Sequence, residues 1–171
     1  MNRILDIDAP KATIFGGSGF IGRYIVRRLV SRGWRVRVGV RNPNDAIFLK
    51  TYGEVGQIEL MACSFTDRRS VSACIDGSDF VINAVAGLLN ETSRKKIEQC
   101  YLKGPEIIAS EAKRALVKKL IHISALGADE TAESFYSRYK GRGEKKVLEI
   151  LTPICPYQNR SRKLLTKFQM I

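Results

Sequence analysis

The stretch Thr13–Leu29, TIFGGSGFIGRYIVRRL, constrains this chain more than any other. Gly16, Gly19 and Gly22 recur at a stride of three, between an apolar β-prone run and a helix-prone run with scattered arginines. A strand, a glycine turn and a helix in that order make a corner for phosphate groups. Gly16 permits the tight turn, Gly19 lets the backbone come close to a pyrophosphate, and Gly22 lets helix and strand pack closely. The first helical turn then offers unpaired amides and the positive end of a helix dipole. Gly16, Gly17, Ser18, Gly19, Phe20, Ile21 and Gly22 are accordingly the candidate dinucleotide cradle. The plain alternative is a glycine-rich βα turn that holds nothing.

Strand-like and helix-like segments alternate along the rest of the chain. KATIFGG (11–17) reads as a strand and 20–33 as a helix stopped near Gly33. RVRVGVR (35–41) is a second strand, and NPND (42–45) caps a short helix ending near Gly53. GQIELMACS (56–64) is a third strand, and TDRRSVSACIDG opens with an N-cap and forms a helix. DFVINAVAG (79–87) is almost wholly apolar, as a strand covered on both faces should be. Residues 92–117 predict a long helix bent at Gly104-Pro105, KKLIHISALGA (118–128) a fifth strand, and 133–151 a last helix. This alternation predicts an α/β fold, a doubly wound parallel sheet of Rossmann type in the order 3-2-1-4-5. Residues 1–151 are expected to form that domain, and 152–171 a basic tail with no place in it.

A chain of 171 residues suits one domain with a real core. No apolar run reaches the roughly 18 residues of a membrane helix, so no transmembrane segment is expected. The first ten residues lack the pattern of a secretory signal and are too acidic for a transit peptide. Lys and Arg number 29 against 17 Asp and Glu, a net charge of +12. That surplus favours anionic partners or simply a solvated surface. No nucleic-acid signature accompanies it, and nucleic acid is not an expected partner. Cys63, Cys74, Cys100 and Cys155 are widely spaced and His122 is the only histidine, so a metal site is not expected.

The residue at the end of the second strand, about 20 positions after the glycines, sorts NAD from NADP. An acid there would bind the ribose 2′-hydroxyl. Arg41 stands there instead, nineteen residues after Gly22, and its guanidinium suits a 2′-phosphate. NADP(H) is therefore expected over NAD(H). Arg23 and Arg37 are further candidates for that phosphate, and Asp45 is either a displaced acid or a helix cap.

The glycine spacing resembles that of the short-chain dehydrogenase/reductase superfamily, in its extended or atypical branch. VINAVAG (81–87) is similar to the superfamily's fourth-strand segment, which walls the cofactor with Asn83, Ala84, Val85 and Ala86. HISALGA (122–128) resembles the fifth-strand end carrying a catalytic serine, here Ser124. YSRYKGRGE (136–144) resembles the active-site helix, with Tyr136 and Lys140 at the Tyr-x-x-x-Lys spacing. Within the superfamily, ATIFGGSGFIGRYIV, GEVGQIELM, LIHISALGA and SRYKGRGEKKVLE resemble the NADPH-binding accessory subunits of respiratory complex I and their bacterial relatives.

The spacing of four puts Tyr136 and Lys140 on one helix face. An ammonium beside a phenol favours phenolate, and the phenol then exchanges a proton with a substrate hydroxyl or carbonyl. The resemblance implies that Lys140 also holds the nicotinamide ribose, that Ser124 bonds the same substrate oxygen, and that Asn83 supports the site. Tyr139 is a rival for Tyr136, and Lys140 lies among other cations.

Two departures bear on function. Many relatives place an Asp after the third strand against adenine; Ser64 stands here, leaving adenine to backbone and to Phe65. After residue 151 the resemblance predicts a sixth strand and a substrate lobe, and TPICPYQNRSRKLLTKFQMI matches neither. A truncated or frameshifted product, a divergent tail, or a basic helix on a partner would read this way. Three functions follow. The first is an accessory or assembly protein of NADH–quinone oxidoreductase with a structural nucleotide, partnered by complex I subunits, in the cytoplasm or matrix and peripheral to the inner membrane. The second is an NADP-dependent reductase, dehydrogenase or epimerase. The third is an NADP(H)-sensing regulator with another protein partner.

Overall fold

The computed structural model describes residues 6, 8–87 and 93–152. The expected tail from 153 onward, with Cys155, lies outside them. Five parallel strands run β1 (Lys11–Phe15), β2 (Arg35–Val40), β3 (Ile58–Ala62), β4 (Phe80–Asn83) and β5 (Lys119–His122). They form one sheet in the order β3-β2-β1-β4-β5, as the alternation predicts. Helices α1 (Phe20–Val30), α2 (Arg68–Ile75), α3 (Arg94–Glu98), α4 (Gly104–Arg114) and α5 (Phe135–Leu151) connect and follow the strands.

Two apolar clusters cover the sheet. On one side Ile14, Val38 and Ile82 meet Val26 and Val30 of α1. On the other, Phe15 and Val81 meet Val71 and Ile75 of α2 and Ile108 and Ala112 of α4. Full burial of each such side chain contributes roughly 1.5–3 kcal/mol, which chain entropy largely offsets.

The strands are shorter than expected, for local reasons. Gly16 turns β1 away at φ +80°, and the Asn83 side chain takes the Val85 amide and so ends β4. The short helix after Asn42 is 3₁₀ over Pro43–Tyr52, because its inward residues Ala46, Leu49 and Tyr52 are three apart. The bend expected at Gly104-Pro105 takes the form of a π turn, Gln99–Lys103, inserted just before α4. Pro105 has no N–H for the Tyr101 carbonyl four residues back, and the turn widens there.

Candidate functional site

The parallel strands bring the ends of β1, β2, β4 and β5 to one edge of the sheet, where sites of open α/β folds form. At that edge Gly16 presses on the loop after β4. A Cβ on Gly16 would lie 2.6 Å from the Ala84 carbonyl oxygen and 2.9 Å from the Val85 nitrogen. Gly22 packs against Gly16 and Gly17, so α1 begins against the turn itself as well as the strand. Gly19 caps α1 with extended backbone, its own amide bonded to the Gly16 carbonyl at 3.1 Å. Gly17 and Gly22 are buried, Ser18 is half-buried, and Phe20 and Ile21 are exposed. The first turn of α1, with its unpaired amides, therefore starts against glycine backbone, and no acid stands in that turn.

Arg41 follows β2 directly, exposed and without a partner among the described residues. Arg23 folds back on the helix start, bonded to the Gly19 and Ser18 carbonyls. Arg37 is unavailable to a ligand. It pairs with Glu59 at 2.8 Å and donates to the Cys74 and Asp76 carbonyls, which makes it a tie between β2 and α2. Asp45 accepts from Asn42 and belongs to the cap of the 3₁₀ helix. Ser64 is exposed after β3, its hydroxyl bonded to Thr66. Phe65 is half-buried and lies against Gly104, where a Cβ would be 2.7 Å from its ring.

Asn83 is buried and fixes a tautomer. Its Oδ1 accepts from the Val85 amide, so its Nδ2 donates to His122 Nδ1 at 3.1 Å. His122 is then neutral, with its proton on Nε2. Burial, with the nearby Lys140 ammonium adding to it, pushes the imidazole down to about 4. Its Nε2 and the Ser124 hydroxyl are both buried without a hydrogen-bond partner among the described residues. Ala84 and Val85 wall the Gly16 turn, and Ala86 is exposed.

Lys140 is only 3% exposed. Its ammonium donates to the Ile123 carbonyl at 3.2 Å, next to Ser124, and stands 4.9 Å from the centre of the Tyr101 ring. Burial lowers it to about 8, against Cys100 and Glu144, which raise it. Tyr136 meets the same Tyr101 edge-to-face, centroids 5.3 Å apart. Tyr139 lies elsewhere, stacked on Phe135 with Arg142 over its face. Lys140 and Tyr136 thus share the Tyr101 ring, and Lys140 reaches the carbonyl just before Ser124.

Tyr101 and the pairing of His122 were not foreseen. In sequence Tyr101 is one aromatic in a helical run, and its signal is Pro105 four residues later. In sequence His122 is only the single histidine of a chain in which no metal site is expected. Among the described residues no acid, histidine or cysteine cluster suits a metal, and no helix is long and apolar enough to cross a membrane.

The parallel sheet in the order β3-β2-β1-β4-β5, with a glycine turn from β1 into α1, defines an α/β domain of Rossmann type. Residues 16–151 match the NAD(P)H-binding family, and the chain belongs to it. It is 38% identical over 145 residues to "NADH dehydrogenase [ubiquinone] 1 alpha subcomplex subunit 9, mitochondrial" of Dictyostelium discoideum, covering 84% of this chain and 40% of that protein. It is 31% identical to a ceramide reductase of Caulobacter vibrioides, covering 78% of this chain and 40% of that one. A short-chain dehydrogenase/reductase superfamily protein of Agrobacterium tumefaciens, solved with bound NAD, shares the fold at TM-score 0.68 and 21% identity, over 80% of this chain and 44% of that one. The chain spans about two fifths of the length of these curated relatives.

Proposed function

We propose that this chain is the dinucleotide-binding part of an accessory or assembly subunit of an NADH–quinone oxidoreductase. In this reading it holds NADP(H) in preference to NAD(H), as a structural element, on the matrix or cytoplasmic side of the membrane complex. The carrying observation is the pairing of the glycine turn that starts α1, closed against the post-β4 loop at Gly16, with the Arg41 guanidinium, which is exposed at the same sheet edge and without a partner among the described residues. The residues present fit the group. Gly16 to Gly22 hold the diphosphate, Arg41 the 2′-phosphate, Ser64 and Phe65 flank the adenine, and Asn83 to Ala86 wall the nicotinamide half. The likeness to a complex I subunit supports complex I subunits as the partner.

Arg41→Ala tests the selection. Loss of a charge-assisted pair is expected to weaken NADPH about 10- to 100-fold by calorimetry, with NADH nearly unchanged. Equal losses overturn the assignment, and no heat from either coenzyme in the unmodified protein overturns the site. Mass spectrometry of nucleotide and proteins retained through gentle purification tests the partner.

The shared Tyr101 contact of Tyr136 and Lys140, with Lys140 bonded next to Ser124, favours a second reading, an NADP-dependent reductase or dehydrogenase. The bound nicotinamide would supply or accept hydride. Tyr136 would exchange the proton with the substrate oxygen, Ser124 would hydrogen-bond that oxygen, and Lys140 would orient the ribose and favour the phenolate. Tyr136→Phe is expected to abolish turnover and spare coenzyme affinity; an unchanged rate defeats this reading.

A further inference from the structure

Tyr101 is 3% exposed and touches three parts of the site at once. Its hydroxyl accepts from the Gly87 amide at 3.0 Å and donates to the Gly87 carbonyl at 3.2 Å. Its ring face carries the Lys140 ammonium at 4.9 Å, and the ring meets Tyr136 at an interplanar angle of 85°. The backbone around it is built for this placement. Pro105 leaves the Tyr101 carbonyl without its helical donor, and the π turn swings that carbonyl toward α5. Gly143 faces it there, and a side chain at Gly143 would collide with the Tyr101 carbonyl oxygen. An ordinary α-helical turn through 99–103 would have no reason to leave that space.

We propose that Tyr101 is the positioning residue of this site: its hydroxyl pins the post-β4 loop at Gly87 while its ring holds Lys140 and abuts Tyr136. The inference rests on the dinucleotide reading for its purpose, though not for its contacts. The loop at 84–87 presses on the Gly16 turn, and Lys140 lies beneath the Ser124 end of β5. One side chain therefore sets the separation between the cradle wall and the Tyr136–Lys140 face of α5. An ammonium has three donors. Ile123 takes one and the Tyr101 ring faces a second, which aims the third along a fixed direction.

Two substitutions separate the two handles. Tyr101→Phe removes the clamp on Gly87 and keeps the ring face. Tyr101→Leu removes both and keeps an apolar neighbour. The first readout is the titration of Lys140 in coenzyme-free protein, followed by acetic anhydride labelling from pH 6 to pH 11 and peptide mass spectrometry. The groups around that ammonium are Cys100 on the π turn, His122 on β5, and Tyr136 and Glu144 on α5, and all are common to the variants. A cation held by a ring face gains its charged form, so Tyr101→Leu is expected to lower the midpoint by about half a unit to one unit. Tyr101→Phe is expected to leave it where it is. The second readout is coenzyme affinity by calorimetry. Tyr101→Phe removes both hydrogen bonds to Gly87 and is expected to weaken it by at least the about two- to tenfold that a single one is worth.

An unmoved Lys140 midpoint in folded Tyr101→Leu overturns the proposal, as does full coenzyme affinity in Tyr101→Phe. Should the leucine variant not fold, the phenylalanine variant still decides: a shifted Lys140 midpoint there contradicts the ring-face hold. A protein that binds no coenzyme yet shows the expected shift refutes the dinucleotide reading and upholds the lysine clamp.

Discussion

At the scale of single residues, His122 shows how the fold sets a protonation state. Asn83 is oriented by the Val85 amide, and it in turn dictates that His122 Nδ1 accepts. The imidazole is buried and neutral, and its midpoint falls from 6.5 to about 4. Between those values the unfolded chain binds a proton that the native state refuses. Stability from this group is thus complete above about pH 6.5 and is lost as pH falls toward 4, by roughly 3 kcal/mol at the limit. His122→Gln offers Asn83 an acceptor that does not titrate. Urea unfolding at pH 7 and pH 4 is expected to show the larger acid loss in the unmodified protein, the excess being on that order. Carboxylates such as Asp67 and Asp79 contribute alike to both proteins and cancel. Equal acid losses would mean that the imidazole is already charged in the native state.

At the scale of elements, most of the sheet was legible and most of the irregular helix was not. Strand order follows from alternation and from apolar runs such as FVI in β4, because a strand covered on both faces is mostly apolar. Strand ends were overextended, since a β-prone run does not announce where a side chain will intercept the ladder. Asn83 does so by bonding Val85, two residues along. The π turn before α4 needed a tertiary fact, the space at Gly143 on α5. The α2–α4 contact was equally hidden. Glu111, 1% exposed, accepts from Arg68 of α2 at 2.6 Å. Arg114 stands 2.6 Å from its other oxygen, aligned as an ion pair and not as a hydrogen bond. In sequence these are three charges on two surface helices. In the fold they are a buried carboxylate capped by two arginines, and leaving it unpaired would cost about 3–5 kcal/mol. The candidate site was legible for the same reason as the sheet: Gly16, Asn83 and Ser124 fall at or just past strand ends, where topology alone collects them.

At the scale of the whole molecule, the question is what the surplus of +12 does. Much of the basic charge on the described helices is occupied locally. Lys145 pairs with Glu130, Arg138 donates to the Ala132 and Glu133 carbonyls, and Arg94 lies over Phe135. Arg41 is without a partner among the described residues at the sheet edge, and Arg23 binds the carbonyls of the helix start and stands over the Phe48 ring. A diffuse positive field draws any dinucleotide, and salt screens it once the Debye length falls below the span between charges. A direct Arg41 contact adds to that field for NADPH alone. Raising salt from about 0.05 M to about 0.5 M is therefore expected to weaken NADPH severalfold more than NADH. In Arg41→Ala the two coenzymes should show nearly the same salt dependence. Parallel salt curves in the unmodified protein would leave the field as the sole source of attraction and remove Arg41 from the site. Separate curves that stay separate in Arg41→Ala would place the 2′-phosphate against another cation of the same edge, such as Arg23, whose guanidinium bonds the Gly19 and Ser18 carbonyls.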